Sequence, residues 1–216
     1  YEQCLDIIRY KETDMVLFQS TGSTTSTPHS EADGPMSGTD YMAHHNLRGS
    51  ACGYVFRKAI LHDLRFREGT LHEDEEFTPQ LMLRAENIYS TEGKAYHYRV
   101  RKDSITHKTD KRWRMRRLMD AEQVIYRLKN KADHLPVSER IAMERRIAQL
   151  TMDYIYNVIR MTHDATHLDR VLQRLTKHDL FPLPDKHYTK KYQCFRMLVN
   201  TAMGRKILML ALRVKG

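Results

Sequence analysis

The chain has 216 residues, 41% of them hydrophobic and 29% charged, with a formal net charge of +9. That composition suits one large or two small globular domains. It excludes a disulfide framework or a closely spaced zinc site, because the three cysteines, Cys4, Cys52 and Cys194, stand far apart.

The scattered cysteines read as buried, reduced thiols of a cytosolic protein. No apolar run reaches the roughly 18 residues that cross a bilayer. The opening YEQCLDIIRY has no basic start ahead of an apolar core, so no signal peptide is expected, and it lacks an initiator Met, as an excised fragment would. The charge is uneven. Residues 1–108 hold 13 Lys/Arg against 16 Asp/Glu, a net −3, whereas residues 109–216 hold 23 against 11, a net +12. Two parts with different roles are expected, and the basic part suits nucleic acid, anionic lipid or an acidic substrate.

In chain order, Leu5-Asp6-Ile7-Ile8 and Met15-Val16-Leu17-Phe18 read as short buried strands. Residues 20–35, dense in Ser, Thr, Gly and Pro, read as a long loop. Ser37, with Asp40 three residues on, predicts a capped helix to about Asn46. Cys52 to Leu61 reads as a strand or buried segment running into a helical turn. Phe77, Leu81 and Ala85 share one helical face, with acids at the helix start. Pro79 belongs in a first turn, so this helix is expected to begin close to Asp74. Tyr89 and the segment Ala95 to Val100 read as strand.

After His107 the spacing turns helical over 111–132, 138–162, 167–178 and 188–214, the last dividing at Gly204, with turn signals at Leu135-Pro136, His163-Asp164, Pro182 and Pro184. The fold class is therefore mixed α/β over 1–108, followed by an all-helical, basic region over 109–216.

The run His72-Glu73-Asp74-Glu75-Glu76-Phe77 admits two readings. It is either a solvated acidic helix start or a carboxylate aimed into a cleft, as a general base or cation holder. Around it stand Gly53-Tyr54-Val55-Phe56-Arg57-Lys58-Ala59-Ile60-Leu61, Leu64-Arg65-Phe66, Tyr96-His97-Tyr98-Arg99-Val100-Arg101 and Ser104-Ile105-Thr106-His107. This ordered string resembles the second half of the catalytic domain of family-2 glycosyltransferases, especially bacterial enzymes of surface-polysaccharide assembly. There an aromatic-basic segment, a Leu-Arg-Phe, a Glu-Asp-x-x-Phe block, a Tyr-x-Tyr-Arg strand and a Ser-Ile-Thr turn follow in the same order. The resemblance covers roughly residues 1–108.

The resemblance implies an inverting transfer of sugar from a nucleotide-sugar donor to a saccharide or lipid-linked acceptor, on an incomplete GT-A type sheet. Asp74 would be the base that takes the acceptor proton, and Glu73 would orient the acceptor or the base. The carboxylates of Glu73, Glu75 and Glu76 would raise the proton affinity of Asp74. Arg99, Arg101 and Ser104 would bind the donor diphosphate, and His107 would ligate a divalent cation, Mg or Mn. Each has a plainer reading. Arg99 and Arg101 are equally surface charges, His107 an ordinary exposed histidine, and Tyr96 and Tyr98 strand packing. Trp113 is either a sugar-stacking ring or an anchor between the two parts.

The family also places a strand, a nucleotide-binding loop and an Asp-x-Asp pair upstream, and no Asp-x-Asp occurs in these 216 residues. Leu5 to Ile8 resembles the strand after that site, so the chain is expected to begin just past it and to need its nucleotide-binding half for turnover. The basic tail suggests a cytoplasmic protein peripheral to an anionic membrane, or a helix packed on the catalytic domain. An exposed sheet edge suggests a homodimer. The alternatives are a non-enzymatic basic helical module binding nucleic acid or anionic membrane, although no helix-turn-helix, zinc or RNA-binding pattern supports the nucleic acid, and a structural or protein-interaction domain whose acid cluster is inert.

Overall fold

The computed structural model describes residues 1–21, 31–97 and 110–212. It is mixed α/β followed by helices, and it divides into two compact units, Tyr1–Thr109 and Asp110–Gly216.

The first unit opens with helix α1 (Glu2–Tyr10), where a strand is expected over Leu5 to Ile8. A four-residue apolar run fits either element by pattern alone. What decides it here is that Cys4, Ile7 and Ile8 recur at i, i+3 and i+4, so only a helix turns all three inward. Cys4 packs with Val16 and Phe18, and Ile7 and Ile8 lie against that cluster. Leu5, off that face, is 44% exposed.

Strand β1 (Met15–Thr21) is one of the two inner strands of a four-stranded sheet ordered β2-β4-β1-β3. Met15 and Val16 are fully buried on its two faces, as a covered inner strand requires. β1 runs antiparallel to β3 (Tyr54–Phe56) and parallel to β4 (Ile88–His97). The starts of the parallel pair are clamped together. Asp14 accepts from the backbone N–H groups of Glu86 (2.9 Å) and Asn87 (3.1 Å), and Asp14 N–H donates to Asn87 O (2.7 Å).

The expected loop over 20–35 is partly sheet. β1 continues to Thr21, and β2 (Ala32–Met36) pairs antiparallel with β4, carrying a cis Gly34-Pro35 bond. Gly and Pro are poor strand formers, so the pairing comes from the edge of β4 rather than from local preference. Residues 22–30 and 98–109, within the expected loop and beyond the end of β4, lie outside the described residues.

Helix α2 (Gly38–His44) starts on Ser37, whose Oγ accepts from Asp40 N at 3.0 Å. Gly38 N–H donates to Ala85 O at 2.8 Å, and the glycine packs so closely that an added Cβ would stand 1.8 Å from Met82 O. Short helical turns at Ala51–Gly53 and Lys58–Leu61 flank β3. Helix α3 (Glu73–Met82) begins one residue before Asp74, but Pro79 is its seventh residue, not in its first turn. Pro79 is buried with Phe77, Thr78, Leu81 and Met82, so its ring packs in place of the hydrogen bond it cannot donate.

The second unit is helical. Helix α4 (Lys111–Ala132) is capped by Asp110, which accepts from Trp113 N at 2.9 Å. Trp113 is half-buried in that first turn, with the Arg116 guanidinium 5.9 Å from its ring centre. Helix α5 (Val137–Thr162) packs along α4, and α6 (Ala165–Lys177) along α5. The expected 188–214 helix is two, α7 (Lys190–Val199) and α8 (Ala202–Ala211). They divide at Asn200-Thr201, ahead of Gly204. Thr201 Oγ1 caps α8 by accepting from Gly204 N at 3.1 Å, and Asn200 bonds both backbone groups of Leu183 at 3.0 and 2.9 Å. Gly204 serves close packing instead, since a Cβ there would meet Leu198 O at 2.1 Å. Among the described residues no helix is long and apolar enough to cross a membrane. All three cysteines are free, but only Cys4 is buried; Cys52 is half-buried and Cys194 exposed, because it falls on the outer side of α7.

Candidate active site

The acidic run forms the first turn of α3, where the unpaired N–H groups and the helix dipole favour negative charge. His72 precedes it in the left-handed region (φ 64°), a backbone turn that brings the chain sharply into the helix. Phe66 stacks on Phe77 with ring centres 3.9 Å apart, holding the approach segment against the helix.

The four carboxylates are half-buried and are held differently. Glu76 meets Arg67 at 3.5 Å. Glu75 lies against the backbone of Gly49, where an added Cβ would stand 1.9 Å from its Oε2. Asp74 Oδ1 accepts from Glu75 N–H at 2.9 Å. Burial first, and then the charges of Glu75 and Glu73, push the Asp74 carboxyl up to about 6, against the pull of those backbone N–H groups. The sequence expectation gave the raising to neighbouring charge alone; desolvation is the larger cause.

The Asp74 charge also acts on Tyr54 of β3. Burial and then the nearby Asp74 charge push the Tyr54 phenol up to about 12. Tyr54 Oη lies 3.0 Å from Thr78 Oγ1, and the Thr78 hydroxyl donates to Gly49 O at 2.7 Å. Because that hydroxyl has one proton, Tyr54 is the donor to Thr78. This chain of bonds fixes β3, the 45–50 loop and the middle of α3 relative to one another.

Tyr54 also lines a polar cleft of about 610 Å³. Its other walls include Gln19 from β1, Asp33 from β2, Glu92 from β4, and Tyr41, His45 and Arg48 from α2 and the following loop. The β1–β4 register resumes at Gln19 opposite Lys94 after Leu17 opposite Ser90, so β4 bulges over Thr91 to Gly93 at this cleft. Bulges commonly sit beside sites because they re-aim a side chain. Tyr41 and His45 stack with centres 4.7 Å apart, and Arg48 donates to Gln19 Oε1 at 3.0 Å. Burial raises the Tyr41 phenol, with the Arg48 charge lowering it and the Glu92 charge raising it, so both charges reach the same ring.

Asp74 and Glu73 do not themselves line this cleft. Arg99, Arg101, Ser104 and His107 lie outside the described residues, as does Tyr98, while Tyr96 packs on the cluster around Phe18. Among the described residues no group of three or more His, Cys, Asp or Glu side chains is arranged to hold a metal ion. Sequence reasoning gave no role to Tyr54, Thr78, Tyr41, His45 or Arg48. The available signal was the i, i+4 spacing of Tyr41 and His45, which places two rings on one side of a helix. No protein-family model matches this chain, and no curated protein matches it either.

Proposed function

We propose that the chain is the acceptor-side part of an inverting glycosyltransferase of the family-2 type, with Asp74 as its base. One observation carries this reading: in the first turn of α3 a half-buried carboxylate is pushed up to about 6 by burial and by its acidic neighbours. At neutral pH Asp74 is ionised yet binds a proton more strongly than a solvated carboxylate, which suits a general base. In the single displacement, the acceptor hydroxyl oxygen bonds to the anomeric carbon and its proton passes to Asp74. The bond from that carbon to the diphosphate breaks, and the nucleoside diphosphate leaves with the electron pair.

Glu73 keeps the role of orienting group, and the planar amide, carboxylate and guanidinium groups of the cleft suit a polyhydroxylated acceptor. Donor-diphosphate binding by Arg99, Arg101 and Ser104, and a divalent cation at His107, rest on the sequence resemblance alone. The described residues offer no ligand set for that cation. With no Asp-x-Asp in its 216 residues, the chain is tested together with a sugar-nucleotide-binding half. In that complete enzyme, Asp74→Asn is expected to lower kcat by roughly 10²–10⁴-fold, read as nucleoside diphosphate release, with an unchanged circular dichroism spectrum. A folded variant that keeps full turnover removes Asp74 from the mechanism.

A further inference from the structure

Helix α8 is apolar on two sides. Gly204 and Leu208 face inward and are buried. On the opposite side Met203 is 76% exposed, Ile207 50% and Leu210 66%. Their spacing of four and then three residues sets them in one stripe along the helix. Single exposed apolar residues are ordinary, but three aligned on one short helix form a surface suited to contact.

The charge around the stripe selects its partner. Residues 186–216 contain eight Lys/Arg and no Asp or Glu. Lys206 is exposed next to Ile207, while Arg205 is half-buried and donates to Val199 O at 3.0 Å. Lys206 and Arg205 also border an apolar groove of about 440 Å³ between α6 and α8, whose one acidic lining residue is Asp169. A second copy docked on this face would set two acid-free basic segments against each other, which like-charge repulsion disfavours. A phosphate-bearing polymer would satisfy the cations and leave the stripe wet. A bilayer of anionic lipid satisfies both, with apolar side chains entering the boundary between headgroups and acyl chains and the lysine at the phosphates.

We propose that α8 is an interfacial membrane helix, seating Met203, Ile207 and Leu210 in an anionic bilayer surface with Lys206 on its phosphates. This inference is independent of the catalytic reading, since it uses none of its residues.

The test is co-sedimentation of the full chain with vesicles of phosphatidylcholine alone or with about 30% phosphatidylglycerol. Binding is expected only to the anionic vesicles at about 50 mM NaCl, falling about tenfold at roughly 500 mM. Met203→Ser/Ile207→Ser/Leu210→Ser should weaken it about tenfold or more at low salt while Tm stays unchanged, because the three side chains are exposed. Lys206→Glu should weaken it too. Failure to bind anionic vesicles at low salt overturns the proposal. So does vesicle binding unaffected by the triple substitution, which would be charge adsorption without insertion. A concentration-dependent dimer that the triple variant abolishes would assign the stripe to a second copy. Duplex DNA retention that falls in parallel with the triple substitution would assign it to nucleic acid.

Discussion

Arg174 on α6 grips Glu122 on α4 through both carboxylate oxygens, Nε to Oε1 at 2.7 Å and Nη2 to Oε2 at 2.8 Å. The hydroxyls of Tyr126 (2.6 Å) and Tyr154 (2.7 Å) donate to the same two oxygens, so one carboxylate ties α4, α5 and α6 together. Glu122 is 6% exposed. A buried charge is tolerable there because every oxygen is satisfied and the guanidinium fork matches the carboxylate. Removing Glu122 would strand two phenols and a cation, so Glu122→Ala is expected to cost about 2–4 kcal/mol, the lower end reflecting the partial exposure of Arg174. Urea unfolding measures it. A loss below about 0.5 kcal/mol would show that the cluster contributes nothing.

The same carboxylate gives the helical unit an acid limit. Burial by itself would raise the Glu122 carboxyl, but the bonds from Arg174, Tyr126 and Tyr154 outweigh it and hold it below the ordinary value of 4.5. A depressed folded-state value means that the unfolded chain binds the proton first. The stabilisation is therefore complete above pH 4.5 and is lost as the pH falls through the lower folded value. Arg174→Lys, which keeps the charge and loses the fork, should lower stability at pH 7 and flatten this acid dependence. An unchanged acid profile in that variant would separate the dependence from this pair.

Gly38 is expected to be intolerant of even a methyl group. Its would-be Cβ lies 1.8 Å from Met82 O and 2.7 Å from Met82 C, both backbone atoms that cannot swing aside. Gly38→Ala must push α2 away from the end of α3 and weaken the Gly38 to Ala85 bond, at about 2–3 kcal/mol. Because α2 supplies Tyr41 to the cleft, the displacement should also appear as altered chemical shifts in the Tyr41 and His45 rings. A variant as stable as the parent would mean that the two helices are not in this contact.

What the sequence disclosed follows the reach of its signals. α4 was legible to the residue from its helical spacing over 22 residues, and the structure adds the Asp110 cap. The start of α3 was legible from its acids and apolar face. α1 was not, since its inward set of Cys4, Ile7 and Ile8 includes a cysteine that strand reasoning does not count. β2 was hidden because Gly34 and Pro35 argue locally against a strand, and only pairing along β4 makes them one. Pro79 misled as a helix-start marker because its packing offsets the missing hydrogen bond. At the site, Asp74 could be named from its neighbours in sequence. Tyr54 and Thr78 could not, since their bond joins residues 24 apart and exists only when β3 and α3 are brought together.

The Tyr54 to Thr78 bond should be measurable as stability. Tyr54→Phe removes a buried donor, while Thr78 keeps its bond to Gly49 O. The cost is expected at about 1 kcal/mol, with Thr78→Val larger because it also leaves Gly49 O unpaired. If the two effects simply add in the double variant, the hydroxyls are not acting as a unit.

Asp74 offers the sharpest separation of stability from function. Its carboxyl sits at about 6 in the folded chain against 3.8 for an unperturbed aspartate. The native state thus binds more protons than the unfolded chain between these values, so its stability falls as the pH rises from 3.8 to about 6 and stays lower above. Discounted for a side chain still partly open to solvent, the penalty at pH 7.5 is about 1–2 kcal/mol. Asp74→Asn cannot ionise and its amide oxygen can still accept from Glu75 N–H, so it should be the more stable protein at pH 7.5 by about 1 kcal/mol. Below about pH 4 the advantage should vanish, because both side chains are then neutral. Denaturant unfolding at the two pH values decides it. A variant less stable than the parent at pH 7.5, or a difference that ignores pH, would mean that Asp74 is an ordinary solvated helix-start acid. A stability gain alongside lost turnover is the pattern of a charge held in place at the expense of the fold because the reaction requires it.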